Sequence, residues 1–316
     1  MAAQINIFIP TYNPVAIQLQ QAIDSILAQT CEDWTLLVHD DCSPQDPFPI
    51  VEPYLKDARI TYRRSPVRLG IAGNWNACMA LATAPFTQLL FQDDVWHPQY
   101  LEKSLMALKM HRNVVFTAAN HKYKDELENV AFGIYDTLYH HKRECMRDGV
   151  HNSHEFLMQW IENGLHPNLI GEPSFVMMRT ETAKACGLYA DNLPQCLDLE
   201  YWTRLLQKGD LYYLAEELGS FRVHSKGASA QNDLSGVGMF DRLLCLEKLI
   251  KTLPETADRK QTKKALKKNV VMMIDKFFHR AKSNTTSAAG ATTKIPLRLY
   301  PLLMGGLCRY MMGNRQ

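Results

Sequence analysis

Short apolar runs, each cut off by a polar cluster and separated by stretches of helical spacing, constrain this chain more than any other feature. INIFIP at residues 5–10 runs into Thr11-Tyr12-Asn13-Pro14, WTLLVH at 34–39 into DDCSPQDP, and the run at 87–91 into Gln92-Asp93-Asp94. Between the first two lies a segment, 15–29, with Ile17, Ala22, Ile23, Ile26 and Leu27 at the period of a helix. Such strands alternating with helices predict an α/β fold, a mostly parallel sheet covered on both faces. Ligands of sheets of this kind bind beyond the carboxyl ends of the strands. Here those ends are PTYN, HDDCS and QDD. Side chains alternate along a strand, so Asp93 and Asp94 cannot both enter one core. An ionised pair also needs partners if it is to be buried. The acids therefore mark either a surface turn that caps the next helix or a place where a charged ligand arrives.

The pattern continues with a helix at 50–55, a strand at 60–63, helices at 73–84 and 98–110 and a strand at 114–119. Residues 121–170, rich in His, charge and loop signals, yield no placement. Order returns with a strand at 173–179, a helix at 180–186, and a helix at 198–208 with Leu199, Trp202, Leu205 and Leu206 on one face. Two further strands, 211–214 and 219–223, close the core. Gly, Ser and Ala at 226–238 mark a linker, followed by helices at 239–252 and 258–282, a second linker at 283–293 and an apolar, basic end. These boundaries give a core domain at 1–230, its halves meeting near residue 120 (1–120 and 121–230), and a helical extension at 231–316.

Composition narrows the class. The net charge of +2 conceals an asymmetry: residues 241–316 carry sixteen Lys and Arg against five Asp and Glu, so the remainder is acidic. A basic tail on an acidic body suggests a separate task for the tail, with an anionic membrane surface as its expected partner. It shows no nucleic-acid motif and few aromatics among its lysines, so nucleic acid is not expected as a partner. Eight cysteines without a C-x-x-C suit reduced thiols, and the N-terminus lacks the features of a secretory signal. No run approaches the length of a membrane span. The expected location is cytoplasmic, with peripheral attachment at the inner face of the cytoplasmic membrane.

Taken in order, INIFIPTYN, SILAQT, LLVHDDCSP, LGIAGNWNACMALATAPF and LLFQDDVWHP resemble the nucleotide-sugar half of family 2 glycosyltransferases, which have the GT-A fold. IGEPSFVMMRTETAKACGLYADNLPQCLDLEYWTRLLQKGDLYYL is similar to the acceptor half, and FRVHSKGAS to the arginine–x–histidine segment after the last core strand. The likeness covers roughly residues 4–230. It departs where the family has two Asp followed by Gly-Ser and this chain has Asp40-Asp41-Cys42-Ser43, and where Asp-x-Asp is replaced by Gln92-Asp93-Asp94.

The resemblance implies a hexosyltransferase-like enzyme that moves a sugar from a nucleoside-diphosphate sugar, UDP-sugar by default, to a glycan or lipid-linked glycan acceptor of the bacterial surface. A diphosphate beside carboxylates repels them unless a divalent cation intervenes, and Mn²⁺ or Mg²⁺ suits oxygen donors. By resemblance Asp94 and His224 are the metal contacts, with Asp93 reaching the ribose or the metal through water. Pro10, Thr11, Tyr12 and Asn13 form the floor under the base and Asp41 accepts from a base N–H. Asn74 reaches ribose or phosphate, and Arg222 is a charge partner for the diphosphate. Asp198 is the general base of an inverting displacement, with Glu200 its nearest rival. Local chemistry offers other roles: an Asx turn for Asp41, helix capping for Asn74 and Asp198. A nucleotidyltransferase would need a Gly-rich basic loop after the first strand, which PTYNPVA is not. A catalytically inactive sugar-nucleotide-binding protein would need no Asp198.

Overall fold

The computed structural model describes residues 3–125, 132–223 and 237–283. The chain divides into two compact units, residues 1–157, 166–192 and 197–224 in one, and 158–165, 193–196 and 225–316 in the other. In chain order the elements are β1 (Ile5–Thr11), α1 (Ala16–Leu27), β2 (Trp34–Asp40), α2 (Phe48–Val51), β3 (Ile60–Arg64), α3 (Gly70–Ala80), β4 (Phe86–Leu89) and β5 (Val95–Trp96). Next come α4 (Tyr100–Met110), β6 (Val114–Asp125), α5 (Phe132–Cys145), β7 (Gly149–His151), α6 (Ser153–Glu162), β8 (Val176–Arg179), α7 (Thr180–Ala185), α8 (Leu197–Leu205) and β9 (Asp210–Val223). The second unit contains α9 (Val237–Thr252) and α10 (Thr256–Ser283).

The strands of the first unit form one sheet in the order β3-β2-β1-β4-β8-β6-β9-β5, with β7 paired to β9. β3, β2, β1 and β4 are parallel, as the alternation of strand and helix predicts. β8 runs antiparallel to both β4 and β6, while β6 and β9 run parallel. Ile5, Ile7, Ile9, Trp34, Leu36 and Val38 are buried with Ile23 and Ile26 of α1, each large side chain contributing about 1.5–3 kcal/mol through burial. Register pairs Thr11 with Asp40 and Asp40 with Arg64. The polar clusters thus end at one edge.

Three differences from the sequence reading have local causes. Helix α3 begins at Gly70, a turn earlier than the apolar spacing indicates, because Asp41 accepts hydrogen bonds from the backbone N–H groups of Leu69 (2.6 Å) and Gly70 (2.9 Å). A cap supplied from 28 residues away in sequence leaves no mark in a local window. The two expected strands at 211–214 and 219–223 are one, β9, whose register against β6 shifts near Glu217. The acids Glu216 and Glu217 that look like a turn in sequence occupy this irregular stretch, and a Cβ on Gly219 would lie 2.6 Å from the Val95 carbonyl oxygen. Only glycine lets β5 approach there. Residues 121–170 contain the end of β6, α5, β7 and α6.

In the second unit α9 and α10 pack together, burying Leu246, Leu249, Ala265 and Leu266. Asp241 accepts from the N–H groups of Gln195 (2.7 Å) and Cys196 (3.1 Å). Lys260, Lys263, Lys264, Lys267 and Lys268 are all exposed. Among the described residues no helix is long and apolar enough to cross a membrane. Both expected linkers, apart from their outermost residues, and the apolar, basic end lie outside the described residues.

Candidate active site

The first polar cluster is locked to the other two. At the end of β1, Thr11 donates its hydroxyl to Gln92 Oε1 (2.6 Å), which also accepts from Tyr12 N–H (2.9 Å). Asn13 N–H donates to Ser43 Oγ (2.7 Å), and Asn13 holds a left-handed φ of 48°, which Asn tolerates better than most residues. Gln92, the residue standing where the family has its first metal-motif acid, is thus a clamp between strand ends. Pro10 and Thr11 are buried, and Tyr12 is half-buried with the Arg68 guanidinium 4.2 Å from its ring centre. Asn74 is buried. Its amide oxygen accepts from His39 Nδ1 (2.5 Å), and its amide nitrogen lies 3.4 Å from the carbonyl oxygens of Thr11 and His39. The side chain read as reaching ribose or phosphate holds β1, β2 and α3 together.

The second cluster is a built turn. Asp40 accepts from Ser43 through both its N–H and its hydroxyl and lies 3.5 Å from Arg64 Nη1. Cys42 has φ 56°. The family's glycine at this place is explained, since a left-handed residue with a Cβ costs roughly 1–2 kcal/mol. Asp41, the expected base contact, caps α3 as described and is buried.

In the third cluster the two acids separate. Asp94 is fully buried; one carboxylate oxygen accepts from Ser174 Oγ (2.5 Å) and the other from Arg222 N–H (3.0 Å). Burial, together with the neighbouring charge of Asp93, holds its carboxyl well above the usual range. Asp93 is half-buried, and its carbonyl accepts from Arg222 Nε (2.9 Å). Arg222 also donates from Nη2 to Gln21 (2.8 Å). His224 lies outside the described residues.

Asp198 opens α8. Its Oδ1 accepts from Leu199 N–H (2.7 Å) and its Oδ2 from Asn168 Nδ2 (3.2 Å). Burial and the charge of Glu172 push the carboxyl up to about 7, despite those bonds. Glu200 is buried against Arg204, which donates to it from Nη2 (2.8 Å) and Nε (3.1 Å). The rival acid is occupied; Asp198 is the one poised to exchange a proton near neutrality.

Sequence reasoning missed the segment that joins these parts. In residues 168–174, NLIGEPS, Asn168 holds Asp198 at one end and Ser174 holds Asp94 at the other. Gln88 Nε2 (3.2 Å) and Trp96 Nε1 (2.6 Å) donate to the Ser174 carbonyl, and Gly171 accepts from Trp202 Nε1 (3.0 Å). In the sequence, IGEPS is legible only as part of the likeness to the acceptor half, and Pro173–Phe175, expected as the start of a strand at 173–179, form a single helical turn before β8.

A divalent cation fits this place. Burial and the nearby Asp93 hold the Asp94 carboxyl above its usual range, so a cation there would favour its charged form, and carboxylate oxygens suit Mg²⁺ or Mn²⁺. Among the described residues no group of three or more His, Cys, Asp or Glu side chains could hold a metal. Of the expected contacts, the described residues contain Asp93 and Asp94, the few protein ligands an ion shared with substrate phosphates needs.

Comparison with known proteins agrees in kind. Residues 6–155 match the family model described as Glycosyl transferase family 2. An Escherichia coli protein named UDP-Glc:alpha-D-GlcNAc-diphosphoundecaprenol beta-1,3-glucosyltransferase WfgD is 30% identical over 119 residues, 37% of this chain and 46% of that one. The match thus spans less than half of that relative. Among solved structures, S. aureus TarS 1-349 in complex with UDP-GlcNAc superposes with a TM-score of 0.66 at 14% identity, covering 98% of this chain and 80% of the other. Mannosyltransferase PcManGT from Pyrobaculum calidifontis, in complex with GDP-Man and Mn²⁺, gives 0.62 at 13% identity, covering 98% and 81%. At these identities the structural likeness speaks for the fold, GT-A.

Proposed function

We propose that this chain, whose residues 6–155 match the Glycosyl transferase family 2 model, is a glycosyltransferase of that family and transfers a sugar from a UDP-sugar, with inversion, to a hydroxyl of a bacterial surface glycan or its lipid-linked precursor. One observation supports this most directly. A single seven-residue segment holds Asp198, with its carboxyl near 7, and Asp94, the fully buried acid. A sugar donor and an acceptor hydroxyl meeting between a base and a cation site is the geometry a single displacement needs.

In this reading the nucleoside base lies over residues 10–13 beside Asp41, which keeps lone pairs beyond the two it gives to α3. Gln92, Asn74 and Ser43 keep that floor rigid, so little order must be gained on binding. The diphosphate lies beside Asp93 and Asp94. Mn²⁺ or Mg²⁺, held by Asp94 with Asp93 directly or through water, would neutralise charge building on the leaving diphosphate. Asp198 takes the proton of the acceptor hydroxyl as that oxygen bonds to the anomeric carbon, and the bond from that carbon to the UDP oxygen breaks. Attack on the face opposite the leaving group inverts the configuration. With Asp198 as the only base in this scheme and no second nucleophile, no covalent sugar–enzyme stage is formed. Activity should fall as pH drops below about 7, where Asp198 becomes protonated.

UDP, GDP and dTDP, each with and without Mn²⁺, compared by thermal shift, test the donor half directly. UDP with Mn²⁺ should raise the melting temperature by a few degrees, because a ligand at about 100 times its Kd adds roughly 2.7 kcal/mol. A flat response to all six conditions would remove the donor site.

The exposed lysines of α10 support peripheral attachment to anionic lipid at the inner membrane face, where lipid-linked acceptors would be met. Each lysine near such a surface is worth about 1 kcal/mol. The full chain should sediment with anionic vesicles at low salt, and replacing Lys260, Lys263, Lys264 and Lys267 by Glu should release it. Indistinguishable pellets for the two proteins would refute this attachment.

A further inference from the structure

Against the turn that holds Asp198 stands a buried amine that the transfer chemistry above does not use. Lys142 of α5 is 1% exposed, and its Nζ has no hydrogen-bond partner among the described residues. It lies against the backbone turn that carries Asn168 and Glu172: a Cβ built on Gly171 would meet Lys142 Nζ at 2.8 Å and His121 Cε1 at 3.4 Å. Gly171 has φ 98°, so the glycine serves both the turn and the room the lysine needs. On the far side of the same turn, Asn168 Oδ1 accepts from Gly171 N–H (3.1 Å), and its Nδ2 reaches Asp198 (3.2 Å). His121 Nε2 pairs with Glu172 at 2.9 Å, its ring stacked on Phe175 with centres 4.0 Å apart.

Burying an ammonium without a hydrogen bond costs several kcal/mol, and such a group survives only where nearby anions need it. Burial pulls the Lys142 amine below its usual value, and two anions, Glu172 and Asp198, pull it back towards the charged form. A methionine of similar length would fill the space more cheaply. We propose that Lys142 is a positioning residue for the base: its buried positive charge, set against Glu172 and the Gly171 turn, keeps Asp198 available as a carboxylate and the Asn168 bond in register. This rests on the reading of Asp198 as the base, but it concerns the state of Asp198 itself and can be measured without turnover. The other ionisable groups facing this interior are His121 and Tyr123 from β6, Glu172 from the turn, Tyr189 from the loop before α8, and Asp94. Glu172 opposes Lys142, because it raises Asp198, and His121 and Lys142 together hold the Glu172 carboxyl down at about 2 against the pull of burial.

The test follows the carbon-13 carboxyl resonance of Asp198 through a pH titration, assigned by its loss in Asp198→Asn. In Lys142→Met the midpoint should rise by about one pH unit or more, the ordinary effect of losing a nearby opposite charge, while Lys142→Arg stays near wild type. The acid limb of turnover should move with it, so that at neutral pH Lys142→Met loses about tenfold and regains most of it at higher pH. UDP affinity should be unchanged. A midpoint that does not move in Lys142→Met would overturn the assignment, as would an equal loss of turnover at every pH. Should the methionine variant not fold, Lys142→Gln carries the same expectation. If instead Asp198→Asn turns over normally, the base has been misassigned, and the titration still reports on Lys142.

Discussion

Asp198→Asn should fold, bind UDP as wild type does, and lose about 10²- to 10⁴-fold in turnover, the range for removing a general base. Asparagine retains one oxygen, enough for the Leu199 N–H at the start of α8, while its amide NH2 replaces the oxygen that accepts from Asn168 and gives up that one bond. The same substitution carries a signature in stability. The folded-state carboxyl sits at about 7, above its usual 3.8. Its favourable contribution is therefore complete below the unfolded value and is lost as pH rises through 7. At pH 8 wild type holds a buried charge that the variant lacks, so Asp198→Asn should be the more stable protein there, by on the order of 2 kcal/mol. At pH 4 the two should melt together. Calorimetry at the two pH values checks this, and a variant less stable than wild type at pH 8 would contradict the raised carboxyl. Glu200→Gln makes the control. It breaks the ion pair with Arg204, so it should cost stability while leaving the pH dependence of turnover in place.

The second large effect concerns Asp94. Alanine there would orphan Ser174 Oγ and the Arg222 N–H, at about 1–3 kcal/mol for each unmet buried donor, so a loss of function would be hard to separate from a loss of fold. Asp94→Asn keeps an acceptor and removes only the charge. Without metal it should be at least as stable as wild type, because burial and the charge of Asp93 already disfavour the carboxylate it replaces. With UDP and Mn²⁺ the order should reverse, wild type gaining melting temperature and the variant little. Transfer should fall by 10²-fold or more, and EDTA should abolish it in wild type. Equal stabilisation of the two proteins by UDP and Mn²⁺ would show that Asp94 is not the metal contact, and Asp93, the more exposed acid, would be next to replace.

Elements whose signal is local were legible in the sequence. INIFIP and WTLLVH are strands, and the run at 87–91 overlaps the strand Phe86–Leu89, because most of their residues are β-branched, aromatic or leucine and most are buried. Their parallel order follows from the helices between them, and the gathering of PTYN, HDDCS and QDD at one edge follows from that order. Asp93, Asp94 and Asp198 could be singled out because adjacent acids at a strand end and an acid at a helix start are unusual and are placed as the family places them. What each side chain does could not be read in the same way. Asp41 caps a helix that begins 29 residues later, Gln92 ties two strand ends together, and Asn74 spends its amide on His39 and Thr11. These partners are distant along the chain, so no window of sequence contains them.

The same separation hid residues 121–170. Helix α5 has an apolar face too weakly marked to stand out, and the importance of Lys142 comes from the strand and turn it is buried against. Composition and period determine which segments become strands and helices, because backbone hydrogen bonding and burial act over a few residues. Which carboxylate is buried beside Ser174, which is capped, and which is raised towards neutrality depends on charges and donors brought together by the sheet. Electrostatic free energy in a low-dielectric interior is set by distance in space, and only the tertiary structure decides that distance.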